Sequence, residues 1–213
     1  VFKDLQKIYD KSIPLIIDFL KRFFLTRYVI DYIKCDNPKK YKIFKKRINV
    51  IVFIHHKKFV NYLLNAGFGR KDVLWVCLGD NQNIRKILGK NANICRLPRG
   101  LTIVKHHYFV QCIIDLHKKL DNLLNLIEPK YTICLEGDSP YSSVIAGITK
   151  LKKIDSVCIQ WGMQYGEFVK LAFANMQFKY FITWGDYFSK YIKENNSKIK
   201  CISFGYPLGE QKF

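Results

Sequence analysis

The sequence is short of acidic residues. It carries Asp+Glu 17 against Lys+Arg 36, a formal net charge of +19 over 213 residues. An excess of that size draws a protein toward phosphates, whether of nucleic acid, lipid headgroups or nucleotide substrates, and charge alone does not choose among them. No run reaches the roughly 18 uninterrupted apolar residues of a membrane span. The seven cysteines form no CxxC pair and are odd in number, which excludes a complete disulfide framework and a zinc knuckle and favours a reducing, cytoplasmic setting. The dinucleotide fingerprint GxGxxG, the phosphate loop GxxxxGK(S/T) and the nucleophile elbow GxSxG are all lacking. The one GxG, Gly67-Phe68-Gly69, follows a helical stretch and reads as its C-cap. What is present excludes disorder: 49% hydrophobic residues and 15% aromatics are enough to build one domain core at this length.

From Leu5 to Ile33 the apolar residues Leu15, Ile16, Phe19, Leu20, Phe23, Phe24, Tyr28 and Ile30 surround a narrow polar stripe of Asp18, Lys21, Arg22, Asp31 and Lys34, which is helical spacing. Pro14 starts this helix or separates it from a preceding one. Packing on a sheet is its expected fate, and an anionic membrane surface is the rival. The run Lys39–Arg47 interleaves six cations with Tyr41, Ile43 and Phe44 and reads as an exposed connection. No nucleic-acid-binding signature accompanies it, so nucleic acid is not an expected partner. Residues 1–47 thus read as an N-terminal helical segment with a basic connection, and 48–213 as the main domain.

In that domain short runs rich in Val, Ile and Cys alternate with helical segments. Strands are expected at Asn49–Ile54, Val73–Leu78, Asn93–Leu97, Tyr131–Glu136, Ser156–Gln160, Tyr180–Thr183 and Ile199–Ser203. Helices fit His56–Asn65, Asn83–Leu88, Val104–Ile127, Tyr141–Lys152 and Tyr187–Asn195. Nearly continuous apolar strands alternating with helices predict a Rossmann-like, doubly wound α/β domain: a parallel sheet of about seven strands covered on both faces. In such a sheet the ligand crevice lies beyond the carboxyl ends of the strands, where strand order reverses.

The residues after the strands are therefore the candidates. Glu136-Gly137-Asp138-Ser139-Pro140 is the densest polar cluster among them. Either carboxylate could serve as a general base, while Asp138 or Ser139 could equally cap the helix that Pro140 begins. His55-His56 follows the first strand and is expected to face that loop; the alternative is a solvated pair opening a helix. Gln160-Trp161-Gly162 follows the fifth strand, Trp184-Gly185 the sixth, and Gly205-Tyr206-Pro207 the seventh. His106, His107 and His117 have no Cys or acid at ligand spacing, so no metal site is expected.

The order Glu-Gly-Asp, Gln-Trp-Gly, Trp-Gly, Gly-Tyr-Pro between Tyr131 and Pro207 resembles the N-terminal half of GT-B glycosyltransferases that build bacterial surface polysaccharide, capsular or lipopolysaccharide, including CDP-glycerol glycerophosphotransferase relatives. Trp161 stands where many of those relatives carry His. The resemblance implies a domain that holds a glycan or lipid-linked acceptor, while a C-terminal domain, expected beyond Phe213, binds most of a nucleotide-activated sugar or CDP-glycerol donor. It implies Asp138, Glu136 and His55 as catalytic residues and His56, Gly137, Ser139, Gln160, Trp161, Gly162, Trp184 and Gly185 as substrate contacts, with no tightly bound cofactor and no metal. It further implies a cytoplasmic protein, with the inner face of the cytoplasmic membrane as a place to bind peripherally. Two alternatives stand beside it. One is a non-catalytic module of the same fold holding an anionic glycan, lipid or nucleic acid. The other is an enzyme like the UDP-N-acetylglucosamine 2-epimerases, whose Gly-Asp the Glu136–Asp138 loop also resembles, although Gln-Trp-Gly replaces the acidic motif those enzymes carry after the next strand.

Overall fold

A computed structural model describes residues 48–54, 56–69, 71–78, 82–97, 106–135, 140–162 and 173–205, with the backbone alone at 82, 106–113, 115 and 140. The N-terminal helix and basic run expected within 1–47 lie outside the described residues, as do Tyr206 and Pro207. The strands are β1 (Val50–Ile54), β2 (Val73–Leu78), β3 (Asn93–Leu97), β4 (Tyr131–Leu135), β5 (Asp155–Ile159), β6 (Tyr180–Thr183) and β7 (Lys200–Ser203). The helices are α1 (Lys57–Asn65), α2 (Gln82–Leu88), α3 (His106–Ile127), α4 (Pro140–Leu151) and α5 (Asp186–Asn195).

All seven strands run parallel in one sheet, in the order β3-β2-β1-β4-β5-β6-β7. This is the doubly wound, Rossmann-like architecture expected from the alternation. From β1 in the middle of the sheet the chain builds leftward to β3, then crosses back through α3 to build rightward from β4. Because such crossovers are right-handed, the two directions put their helices on opposite faces. Phe59, Val60 and Leu63 of α1 and Ile84 and Leu88 of α2 pack with Val52, Ile54, Trp75 and Cys77. Leu116, Leu120 and Leu123 of α3, Ile145 and Ala146 of α4 and Ile192 of α5 pack on the other side with Ile51, Phe53, Leu74 and Cys158. Burial on both faces explains why the central strands read as unbroken apolar runs; all six residues of β2 are buried.

Local chemistry sets the element ends. Helix α1 begins at Lys57 because His56 stays extended (φ −139°, ψ 133°) and its ring accepts the Lys58 N–H. It ends at Asn65, and Gly67, at φ +88°, donates its N–H to Leu64 O while Phe68 donates to Leu63 O. This left-handed C-cap is the one the GxG spacing suggests, and glycine adopts it without a Cβ clash. Helix α4 begins with Pro140 in its first turn, where a missing N–H costs nothing. Strand β5 runs one residue earlier than the sequence suggests because the Gln160 carbonyl turns out of the ladder to accept the Trp184 indole N–H at 2.9 Å. Along the outer side of the sheet, Lys152 ties α4 to α3 through Asp121 at 2.7 Å, and the Lys152 hydrogen bond holds the Asp121 carboxyl below the usual aspartate range.

Cys77, Cys95, Cys134 and Cys158 are buried and unbridged, and burial pushes the Cys134 thiol well above its ordinary value. Thiol labelling of the native protein, read by peptide mass mapping, should leave these four unmodified until denaturant is added; labelling at equal rates in both states would contradict the packing. The Thr132 hydroxyl is fully buried and has no hydrogen-bond partner among the described residues. An orphaned hydroxyl carries a desolvation penalty of about 1–3 kcal/mol. Thr132→Val, which replaces it at nearly equal volume, should therefore leave the thermal midpoint unchanged or raise it, and a clear drop would show that the hydroxyl has a partner.

Candidate functional site

Strands β1 and β4 are neighbours in the sheet, paired from Val50–Tyr131 through Val52–Ile133, yet the chain leaves them for opposite faces. Their carboxyl ends therefore border the point of strand-order reversal, where adjacent connections diverge and leave a crevice. His56 emerges there from β1. Trp161, two residues beyond β5, reaches across to it: the two rings lie 5.8 Å apart at 49°. The indole also sits edge-on to Phe59 of α1, 6.4 Å away at 75°. His56 is exposed, while Trp161 is half-buried against the α1 side of the sheet.

The His56 ring is oriented by its capping role. Its Nδ1 accepts the Lys58 N–H at 3.3 Å, so in the neutral ring the proton resides on Nε2, and the free edge is a hydrogen-bond donor. A donor edge beside an aromatic face suits a ligand that has oxygens on one side and a flat or ring-shaped body on the other.

Gln160 holds the next stretch of this edge. It is 7% exposed, and each polar group of its side chain has a protein partner. Its Oε1 accepts the Trp184 backbone N–H at 3.0 Å, and its Nε2 donates to Gly162 O at 3.2 Å. Its backbone N–H donates to Ile182 O while its carbonyl takes the Trp184 indole. One residue thus fastens both the Trp161-Gly162 turn and the Trp184-Gly185 turn. Below it the buried Thr183 hydroxyl meets Ser189 Oγ of α5 at 2.6 Å, which fixes the start of α5 on β6. Trp184 packs edge-on against Phe188 at 6.1 Å. Gly185 is the N-cap of α5 with no side-chain capping bond, and its backbone is extended.

The sequence candidates thus divide. His56 and Trp161 are in contact, and Gln160, Gly162, Trp184 and Gly185 form the adjoining clamp on the same carboxyl edge. His55, Glu136, Gly137, Asp138 and Ser139 lie outside the described residues. Phe59, Thr183 and Ser189 shape this edge and were not singled out by the sequence. Phe59 was within reach of a helical i+3 count from His56, whereas the Thr183–Ser189 bond has no local signature. Among the described residues no group of three or more His, Cys, Asp or Glu side chains could hold a metal ion, and no helix is long and apolar enough to cross a membrane.

A groove of about 750 Å³ lies at the opposite, amino edge of the sheet, lined by Glu128, Lys130, Tyr131, Lys152 and Asp155. Two of its charges are paired, Lys152 with Asp121 and Asp155 with Lys179, and it lies away from the carboxyl ends of the strands. The Asp155 hydrogen bond raises the Lys179 ammonium above its ordinary value, as a surface pair does. The carboxyl edge is the stronger candidate on physical grounds, because that is where the diverging connections leave polar backbone and oriented side chains around a cleft.

No protein-family model matches the sequence, and no curated protein matches it. Solved structures do match the fold. The UDP-N-acetylglucosamine 2-epimerase of Rickettsia bellii superposes with a TM-score of 0.56 at 14% identity, over 78% of this chain and 46% of that one. The UDP-GlcNAc 2-epimerase of Neisseria meningitidis, bound to UDP-GlcNAc, superposes with a TM-score of 0.53 at 13% identity, over 74% and 47%. A MurG from Acinetobacter baumannii aligns at a TM-score of 0.45 and 10% identity, over 64% and 41%. The Rossmann-like parallel sheet is thus a fold this chain shares with the two epimerases. The chain spans a little under half the length of each of the two epimerases.

The clamp makes a direct prediction. Gln160→Leu removes the side-chain partners of the Trp184 backbone N–H and of Gly162 O while keeping the carbonyl that takes the indole, a loss of about 1–3 kcal/mol, which for a domain of this size lowers Tm by about 2–4 °C per kcal/mol. Near-ultraviolet circular dichroism should change with it, since the Trp184 backbone loses one of its two ties to Gln160. An unchanged melting curve and an unchanged aromatic spectrum would show that the clamp is dispensable.

Proposed function

We propose that this chain is the acceptor-side domain of a GT-B glycosyltransferase or glycerophosphotransferase that uses a nucleotide-activated sugar or CDP-glycerol to build bacterial surface polysaccharide. The observation that carries the reading is the contact of His56 with Trp161 beside the β1–β4 reversal. A donor N–H next to an aromatic face matches a sugar or a phosphorylated sugar, which offers oxygens at its rim and an apolar face to stack. Asp138, with Glu136 and His55 as the next choices, is the proposed base that deprotonates an acceptor hydroxyl. Gly137 and Ser139 let the acceptor approach, and the Gln160 clamp positions Trp161, Gly162, Trp184 and Gly185 around it. Charge developing on the donor phosphate is to be stabilised by a second domain beyond Phe213. No cofactor or metal is invoked. A peripheral seat on an anionic inner membrane face fits the +19 charge and a lipid-linked acceptor.

The epimerase reading has the Neisseria neighbour, with its UDP-GlcNAc, in its favour. Against it, the turn after β5 carries Gln160, whose amide is held by protein groups, where an acid would be needed. A non-catalytic binding module would keep the aromatic contact but make the Glu136–Asp138 carboxylates irrelevant to any turnover.

The separating experiment compares residues 1–213 with a chain continued past Phe213. The shorter form should bind glycan acceptors without transferring, because reaction requires donor and acceptor held together, a positioning effect of about 7–11 kcal/mol. In the longer form Asp138→Asn should lower turnover by roughly 10²–10⁴-fold. His56→Asn keeps a capping side chain but removes the Nε2 donor, so it should weaken ligand binding at an unchanged Tm. Transfer by residues 1–213 alone, or full activity in Asp138→Asn, would remove the half-enzyme or the base assignment respectively. Salt-sensitive polyanion binding with no transfer from any donor would favour the binding module.

A further inference from the structure

We propose that the start of α5 is a second sugar-binding subsite with Tyr187 as its stacking platform, and that the acceptor is an oligosaccharide of uncharged rings, not a poly(glycerol phosphate). The inference rests on the acceptor-side reading and deepens it. Helix α5 leaves β6 at the carboxyl edge of the sheet, and Gly185 opens it directly after Trp184. The Trp184 indole N–H donates to the carbonyl of Gln160, the residue before Trp161. Trp184 meets Phe188 edge-on at 6.1 Å, and Phe188 meets Tyr187 edge-on at 5.5 Å. Aromatic residues thus follow one another along this edge, from the His56–Trp161 contact to the first turn of α5.

The packing of α5 does not call for an aromatic ring at Tyr187. The buried residues of the helix are Ser189 and Ile192. Tyr187 precedes Ser189 by two positions, about 200° around the helix, and is 65% exposed. Lys190 and Glu194, one and two turns further on, are exposed and charged, as on an ordinary solvent face. A tyrosine held against a second ring at this edge offers a rigid, amphipathic surface, with a face to stack on the C–H side of a sugar and a hydroxyl to bond its rim. Charge narrows the class of ligand. Asp186, beside Tyr187, is exposed, and among the described helices α5 alone carries an acid in its first turn. That carboxylate accepts hydrogen bonds from sugar hydroxyls and repels a phosphodiester. A glycerol phosphate chain also has no ring to stack.

Calorimetric titration of the 213-residue chain with glucose, N-acetylglucosamine, maltotetraose, chitotetraose and a glycerol phosphate tetramer tests the subsite. At least one tetrasaccharide should bind about tenfold or more tighter than its monosaccharide, and the glycerol phosphate tetramer should bind more weakly than that tetrasaccharide. Tyr187→Ala should remove most of the gain of tetrasaccharide over monosaccharide at an unchanged Tm, and Tyr187→Phe, which keeps the ring, should retain it. Tetrasaccharide binding that shifts the Trp161 indole resonance but is unaltered by Tyr187→Ala overturns the subsite and leaves the acceptor-side reading standing. A preference for the glycerol phosphate tetramer overturns the choice of acceptor, and a fall in Tm with Tyr187→Ala returns the ring to helix packing. Absence of binding by every saccharide removes the acceptor-side reading and the subsite with it.

Discussion

The reversal of strand order between β1 and β4 is the constraint from which the other features follow. A chain that begins in the centre of a parallel sheet has to build outward twice, and right-handed crossovers then place the two sets of helices on opposite faces. The cost is a pair of neighbouring strands whose connections diverge. In open α/β sheets such a divergence leaves a crevice at the carboxyl edge, and it is at this edge that His56 and Trp161 come into ring contact.

A cleft of this kind has edges only as firm as the turns that form them. The turns after β5 and β6 are joined by the buried Gln160, which supplies an acceptor, a donor and a backbone carbonyl to partners 2 and 24 residues away. The buried amide is stable there because its hydrogen-bonding groups are satisfied; an orphaned one would be destabilising. Asn196 has a similar organising role at the amino edge, donating to the carbonyls of Phe173 and Met176. The parallel sheet thus uses two side-chain amides, the buried Gln160 at one edge and the half-buried Asn196 at the other, to hold irregular chain against regular strands.

How much of this was legible in the sequence follows from the range of each interaction. Strands buried on both faces are apolar throughout, so the seven runs were readable to within one or two residues. Gly67 as a C-cap and Pro140 in a first turn are local backbone effects and were equally readable. The general site was legible through the rule for open α/β sheets, which sends attention to His56, Gln160, Trp161 and Trp184. The bonds that join those residues were not. Gln160 is expected as a substrate contact, and its bond to Trp184 has no local signature, since no spacing pattern announces a hydrogen bond across 24 residues. The Thr183–Ser189 bond is likewise a property of packing.

The central claim is that the cleft beside the β1–β4 reversal binds a sugar or sugar phosphate against Trp161. The sequence has three tryptophans in three settings: Trp75 fully buried in the core, Trp161 at the cleft and Trp184 in the Gln160 clamp. The most direct measurement is the three indole N–H resonances of ¹⁵N-labelled protein during titration with UDP-N-acetylglucosamine, CDP-glycerol and short glycan acceptors. The account predicts a saturable shift of the Trp161 indole with at least one of them while Trp75 stays fixed. Saturable binding that leaves the Trp161 resonance unmoved would contradict it.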